Sequence, residues 1–197
     1  NWDVFLEEAL PPIHSAFPKD RDVTRLNREG LRCARRARKA VTTLITLPEY
    51  PKLITEFTAA VFALNDGLPI TLKEFAQTQL SSHAKQASKL ASRHAELNAL
   101  ERHKMRIRFK KLRYTLEFFA PLLHNKHLSP YLSALNQLQD ELGLINDHVT
   151  AEALINKTLT RHPKGPVHGW VEGRHALLIG ELPNTLKILL GQRAPWK

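Results

Sequence analysis

Apolar residues recur at helical spacing along almost the whole chain, and the pattern stops only at a few clusters of proline, glycine and small polar residues. The interruptions fall at 11–22, 48–51, 65–69, 121–130 and 162–166. No run of β-branched residues alternates with period two, so no strand is predicted. The spacing predicts helices over about 2–10, 24–47, 51–64, 71–93, 98–120, 128–160 (with a break near Gly143) and 168–190. Thr24 and Thr71 are the N-caps this pattern selects, and Thr71-Leu-Lys-Glu74 has the order of a capping box. Short links between long helices make neighbours antiparallel. The expected fold class is therefore all-α, built from antiparallel helical bundles.

A faint internal echo runs beneath the helices. Asp3, Glu8, Ala9 and Leu10 recur as Asp147, Glu152, Ala153 and Leu154, an offset of 144 residues that either duplication or chance explains.

Composition narrows the class of protein. A chain of 197 residues is long enough for one core or for two small helical units packed together. With 43% hydrophobic and 24% charged residues it has the make-up of a folded protein, which argues against disorder. No apolar run approaches the roughly 20 residues of a membrane span. The single cysteine, Cys33, excludes an internal disulfide framework and any zinc site needing several thiolates, and a reducing cytoplasm is the expected location. The chain opens at Asn1 with neither Met nor a signal-like apolar stretch, so an N-terminal portion is expected to precede it.

Charge changes the picture more than composition does. From Arg25 to Lys39 there are seven cations and one acid, Glu29; from Arg102 to Arg113 there are seven cations and no acid. These windows hold a net +13 of a total formal charge of +10, which leaves −3 for everything else. A mildly acidic scaffold carrying two cationic segments points to a polyanionic partner.

In the first segment Arg25, Arg28, Arg32, Arg35, Arg36 and Lys39 project into an arc about 100° wide. Leu26, Cys33, Ala34, Ala37, Ala40, Val41 and Leu44 take the other side and are the expected packing face. Two readings fit such an arc, a solvated surface or a polyanion site. Like charges at i,i+4 cost about 0.2–0.5 kcal/mol per pair, which favours an outside anion as the offset.

In the second segment Met105, Phe109, Leu112, Leu116 and Phe119 follow 4-3-4-3 spacing, while Ile107, Tyr114 and Phe118 form a second apolar stripe nearly opposite. A helix packed on two sides is expected. His103, Arg106, Lys110, Arg113 and Glu117 lie on one flank between the stripes, and Lys104, Arg108 and Lys111 fill the other. Projection alone leaves open which cationic flank lines a groove.

These residues carry a resemblance. His103-x-x-Arg106-Ile-x-x-Lys110-Lys-Leu-Arg113-Tyr114-x-x-Glu117-Phe118-Phe119 resembles the hallmark of the CHAD family, the conserved-histidine α-helical domain. Leu138-Gln139-x-x-Leu142-Gly143-x-x-Asn146-Asp147 resembles that family's second signature, and Gly191 with Pro195-Trp196 its usual tail. The match is specific across 103–147 and looser before it, where it takes in the Arg25–Lys39 helix and Pro48-Glu-Tyr50.

The resemblance implies two related helical bundles with cations lining a central groove or pore that binds inorganic polyphosphate, often fused to a triphosphate-tunnel hydrolase. On that pattern residues 1–97 are the remainder of the first bundle and residues 98–197 the complete second one. Trp2-Asp3-Val4 resembles the close of the first half's Arg-Asp-x-Asp-Val signature. The first bundle's own N-terminal helices would then lie ahead of residue 1.

The expected polyphosphate ligands are His103, Arg106, Lys110 and Arg113 from the signature. Lys111 also matches it, although it projects about 100° from Lys110. Arg28, Arg32, Arg35, Arg36 and Lys39 are added by charge geometry, and Lys85, Lys89 and Arg93 as a thinner stripe at i,i+4,i+8 for which plain surface solubility is the other reading. His103 is either a group that gains charge as pH falls through about 6.5 or a structural hydrogen-bonding residue. Tyr114 and Glu117 are expected to orient the cations, Gly143 to allow a close approach or a break, and Asn146 and Asp147 to cap or support.

Catalytic patterns are scarce. The chain has no phosphate-binding Gly-rich loop, no Gly-x-Gly-x-x-Gly and no His-Glu-x-x-His. Glu172-x-x-His175 lacks the second pair a di-iron bundle needs, and His124-x-x-His127 lacks carboxylate or thiolate company. No catalytic residue, metal or cofactor is expected, and the protein is read as a non-enzyme. The expected partner is inorganic polyphosphate, at cytoplasmic polyphosphate granules. The alternatives are an RNA- or DNA-binding helical protein, or an accessory domain of a triphosphate hydrolase; no membrane partner is expected.

Overall fold

The computed structural model describes residues 2–64, 70–123, 126–159 and 165–197. Every regular element among them is helical: α1 (Trp2–Val4), α2 (Leu10–Ala16), α3 (Arg21–Ile45), α4 (Glu49–Phe62), α5 (Leu72–Ala91), α6 (Ala99–Phe119), α7 (Leu128–Thr158) and α8 (Pro166–Leu190). The protein is all-α.

Local chemistry explains where the boundaries depart from the spacing. The first helix does not stop at residue 10. Pro11 and Pro12 sit in the first turn of α2, where a missing N–H breaks no helical bond. A π-helical turn at Phe5–Ala9 joins α1 to α2, with the Leu10 N–H donating to Phe5 O. The N-cap of α3 is Asp20, not Thr24: its carboxylate accepts from the Asp22 and Val23 amides at 2.7 and 3.3 Å. Thr24, inside the helix, turns its hydroxyl back to Asp20 O. Thr71 caps α5 through the expected box with Glu74, whose carboxyl these Thr71 hydrogen bonds hold below its usual pKa.

The chain divides into two compact units, the described residues of 1–69 with 155–163, and those of 70–154 with 164–197. The division therefore falls elsewhere than at 97/98, because α5 packs along α6 and belongs with it.

In the first unit Phe5, Leu10 and Ile13 are buried with Val23, Leu26 and Ala34 of α3 and with Ile155 and Leu159. Close approach at Gly30 permits this: a Cβ there would stand 2.8 Å from Leu6 Cδ2 and 3.4 Å from Trp2. Asp3 accepts a charged hydrogen bond from Arg38 and ties the N-terminal helix to α3. Among the described residues the packing face of α3 is used only as far as Ala34. Ala37, Ala40, Val41 and Leu44 are exposed, and so is all of α4, including Leu53, Phe57 and Phe62.

The second unit holds the larger core. Leu80, Ala87 and Ala91 of α5 meet the Met105–Phe109–Leu112–Leu116 stripe of α6, with Leu135, Leu138 and Leu142 of α7 and Leu182, Leu186 and Leu189 of α8. Burying each such Leu side chain stabilises the fold by about 1.5–3 kcal/mol. The C-terminal tail closes this unit, with Trp196 packed edge-on against buried Tyr131, whose phenol burial pushes up to about 12. Among the described residues no helix is long and apolar enough to cross a membrane.

Candidate functional site

The helix α6 opens with an Asn98–Glu101 capping box, so its register is fixed from the first turn. That register buries Met105, Phe109, Leu112, Leu116 and Phe119, as the spacing predicts. The opposite stripe is not packed: Ile107, Tyr114 and Phe118 are exposed, Phe118 to 76%. α6 is thus buried on one side only, and its two cationic flanks are the shoulders of that buried face.

On the first shoulder stand His103, Arg106, Lys110 and Arg113, against α7. His103 Nδ1–H donates to Asn146 Oδ1 at 2.6 Å, Gln139 Nε2 donates to Arg106 O at 3.3 Å, and Arg113 Nη1 lies 3.5 Å from Asn136 Oδ1. As numbers rise on α6 they fall on α7, so the helices are antiparallel. Asn136, Gln139, Gly143 and Asn146 share one face of α7 by their 3-4-3 spacing, a ladder of amides along the cationic ladder. Asn136 is a residue that the sequence reading missed. Its signal was there, three residues before Gln139 on the same face.

Gly143 neither breaks α7 nor allows a close approach, since nothing lies within 4 Å of a Cβ built there. Asn146 and Asp147 lie in mid-helix and cap nothing. Asn146 Nδ2 donates to Asp147 Oδ1, so Asn146 is oriented by its neighbour while it holds His103.

All four residues of the row are half-buried or hydrogen-bonded, and acids are few around them. Among the described residues Glu117 alone reaches the row, 3.6 Å from Arg113 Nε. The Nε–H of Arg106 is buried without a hydrogen-bonding protein acceptor, and the buried Nε–H of Arg113 has only the Glu117 carboxylate, at ion-pair distance. Buried donors are normally matched, so the Arg106 guanidinium retains capacity for an anion. Tyr114 stands half exposed beside them, its ring 5.4 Å from Lys110 Nζ and 5.0 Å from Arg113 Cζ, and hydrogen bonding from Arg113 lowers its phenol pKa.

The remaining expected residues separate into three groups. Lys111 lies on the other shoulder of α6 and lines a cleft with Lys89, Lys104 and Arg108. Lys85 lines a different pocket beside Tyr131, Trp196 and Lys197, and Arg93 is paired with Glu96. The α3 cations belong to the first unit. There Arg25 and Arg28, both of the predicted cationic arc, line a cleft of about 370 Å³ with Trp2, Glu29, Cys33 and Lys157, of which Lys157 was not expected. Arg32 is spent on Glu29, whose carboxyl this hydrogen bond draws down to about 2. Arg35, Arg36 and Lys39 are exposed.

Among the described residues no three His, Cys, Asp or Glu side chains gather as a metal-holding group. His124 of the His124-x-x-His127 pair lies outside them.

Comparison with known proteins bears on these signatures directly. The family model of the CHAD domain matches residues 1–156. Among solved structures, the crystal structure of the CHAD domain from the plant Ricinus communis is similar, at 28% identity and a TM-score of 0.80. The alignment covers 98% of this chain and 67% of that one. No curated protein matches the chain.

Proposed function

Since the chain belongs to the CHAD family, we propose that it binds inorganic polyphosphate, without chemistry of its own, on the cationic shoulder of α6. The observation that carries this reading is the row His103, Arg106, Lys110 and Arg113 on one flank of α6, with the buried Nε–H of Arg106 lacking a protein acceptor. A phosphate chain offers a line of anionic oxygens and no bases. Arg forks take such oxygens two at a time, Lys supplies point charge, and release of condensed counterions supplies much of the affinity. Asn136, Gln139 and Asn146 hold the row in place from α7, which lowers the ordering cost of binding.

The experiment is a competition at moderate salt between long-chain polyphosphate and single-stranded DNA for the purified chain. Preference for polyphosphate supports the proposal. A nucleic-acid target is the competing reading, and the exposed Tyr114 between Lys110 and Arg113 favours it, because an aromatic face beside cations stacks bases. Preference for DNA overturns the polyphosphate reading.

A further inference from the structure

The second shoulder of α6 has its own geometry. Lys104, Arg108 and Lys111 project within about 60° of one another, roughly opposite the signature row and on the far side of the buried stripe. They open onto α5, where Lys89 and Gln86 complete a cleft of about 510 Å³. No acid lines it. Among the described residues none of the four cations is ion-paired, whereas Arg32, Arg38, Arg93 and Arg113 each have a carboxylate.

Local sequence makes the crowding worse. Arg108 stands four residues from Lys104 and three from Lys111, and Lys89 stands four from both Lys85 and Arg93. The pairs within α6 and the Lys85–Lys89 pair of α5 are like-charge helical neighbours that cost stability, while Arg93 lies past the end of α5. The nearest acid on α6, Glu101, is occupied in the capping box. On α5, His83 has a buried Nδ1 without a partner, and burial, then Lys111 and Arg108, lower its pKa.

We propose that this α5–α6 cleft is a second phosphate-chain site, so that α6 carries one site on each shoulder and a long polyphosphate engages both. The inference rests on the polyphosphate reading of the first shoulder and adds to it a preference for chain length. A helix with its side chains is about 10–12 Å across, so a chain must pass over the exposed Ile107–Tyr114 strip to reach from one shoulder to the other. Tripolyphosphate fills one shoulder at a time. Linking the two contacts in one molecule raises avidity without any new contact.

Calorimetry with tripolyphosphate and with long-chain polyphosphate tests this on the whole chain. The wild type should bind two tripolyphosphates, and Lys89→Gln/Lys104→Gln one. The same exchange should weaken long-chain binding about tenfold and make its log–log salt dependence shallower by about 1.4, or ~0.7 for each cation lost. Both lysines are exposed, and circular dichroism checks that the variant is folded. A second measurement needs no variant: tripolyphosphate should protect Lys89 and Lys104 of the wild type from acetylation. One tripolyphosphate per wild-type chain, with neither lysine protected, overturns the second site while long-chain binding leaves the first reading standing. Failure of the wild type to bind either phosphate chain overturns both.

Discussion

His103 and Asn146 are 43 residues apart and joined by a 2.6 Å hydrogen bond from the imidazole Nδ1–H to the amide Oδ1. The bond links the first signature to the second, and it sets the end of the antiparallel register that continues through Arg106–Gln139 to Arg113–Asn136. Removing the acceptor in Asn146→Ala should cost about 1 kcal/mol, the usual worth of one such bond. Long-chain polyphosphate affinity should fall three- to tenfold as His103 loses its orientation. Asn146→Asp keeps an acceptor for Nδ1–H, so thermal melting should recover most of the stability in that variant; equal loss in both would remove the positioning role.

Arg106 and Arg113 carry the binding proposal. Arg106→Glu with Arg113→Glu replaces two guanidinium groups by two carboxylates on the same flank, so long-chain affinity at moderate salt should drop at least a hundredfold. Helix content by circular dichroism should stay near the wild-type value, because neither residue is in the apolar core. Affinity unchanged in a folded double variant would sink the signature row as a ligand site.

Two glycines should respond oppositely. A Cβ at Gly143 meets nothing within 4 Å and the backbone is helical, so Gly143→Ala should stabilise by about 0.5–1 kcal/mol, seen as a rise of a few degrees in Tm. At Gly30 a Cβ would stand 2.8 Å from Leu6 Cδ2, so Gly30→Val should destabilise by about 1–3 kcal/mol. A loss of stability in Gly143→Ala would mean that α7 needs its glycine after all.

His83 gives the sign of one pH effect. Burial first, then Lys111 and Arg108, place its folded pKa below the ordinary 6.5. The folded state therefore favours the neutral ring, and this stability is present above about pH 6.5 and is lost as pH falls through the folded value. Denaturant midpoints for His83→Gln should accordingly decline less than the wild type's between about pH 7 and 5. Parallel curves for the two proteins would remove His83 as a source of acid sensitivity.

How much of this was legible beforehand depended on what a single helix can tell about itself. The buried stripe from Met105 to Phe119 and the row from His103 to Arg113 follow from 100° steps alone, and the structure places them as drawn. The capping box at Thr71 is equally local. What lies opposite a face is not local. Ile107, Tyr114 and Phe118 read as a second packing stripe yet are exposed, and Val41 and Leu44 read as a packing face that the described residues leave bare. Asn136 shares the face of Gln139 by spacing, but its partner, Arg113, is on another helix and spacing does not name it. Pro11-Pro12 misled for a different reason: a proline ends a helix only from inside it, and a π turn puts this pair in a first turn instead.

The bare apolar surface of α3 and α4 has a consequence for a molecule of this charge. Phe57, Phe62 and Leu64 alone are 66, 85 and 76% exposed, on a chain whose formal charge of +10 repels its copies. A polyanion that cancels that repulsion leaves the greasy hairpins of neighbouring molecules free to meet. Turbidity during a polyphosphate titration should therefore peak near charge equivalence and clear again in excess, and Phe57→Ser/Phe62→Ser should suppress the peak. Capture of the ligand and condensation of the captor would then be two readings of the same neutralisation.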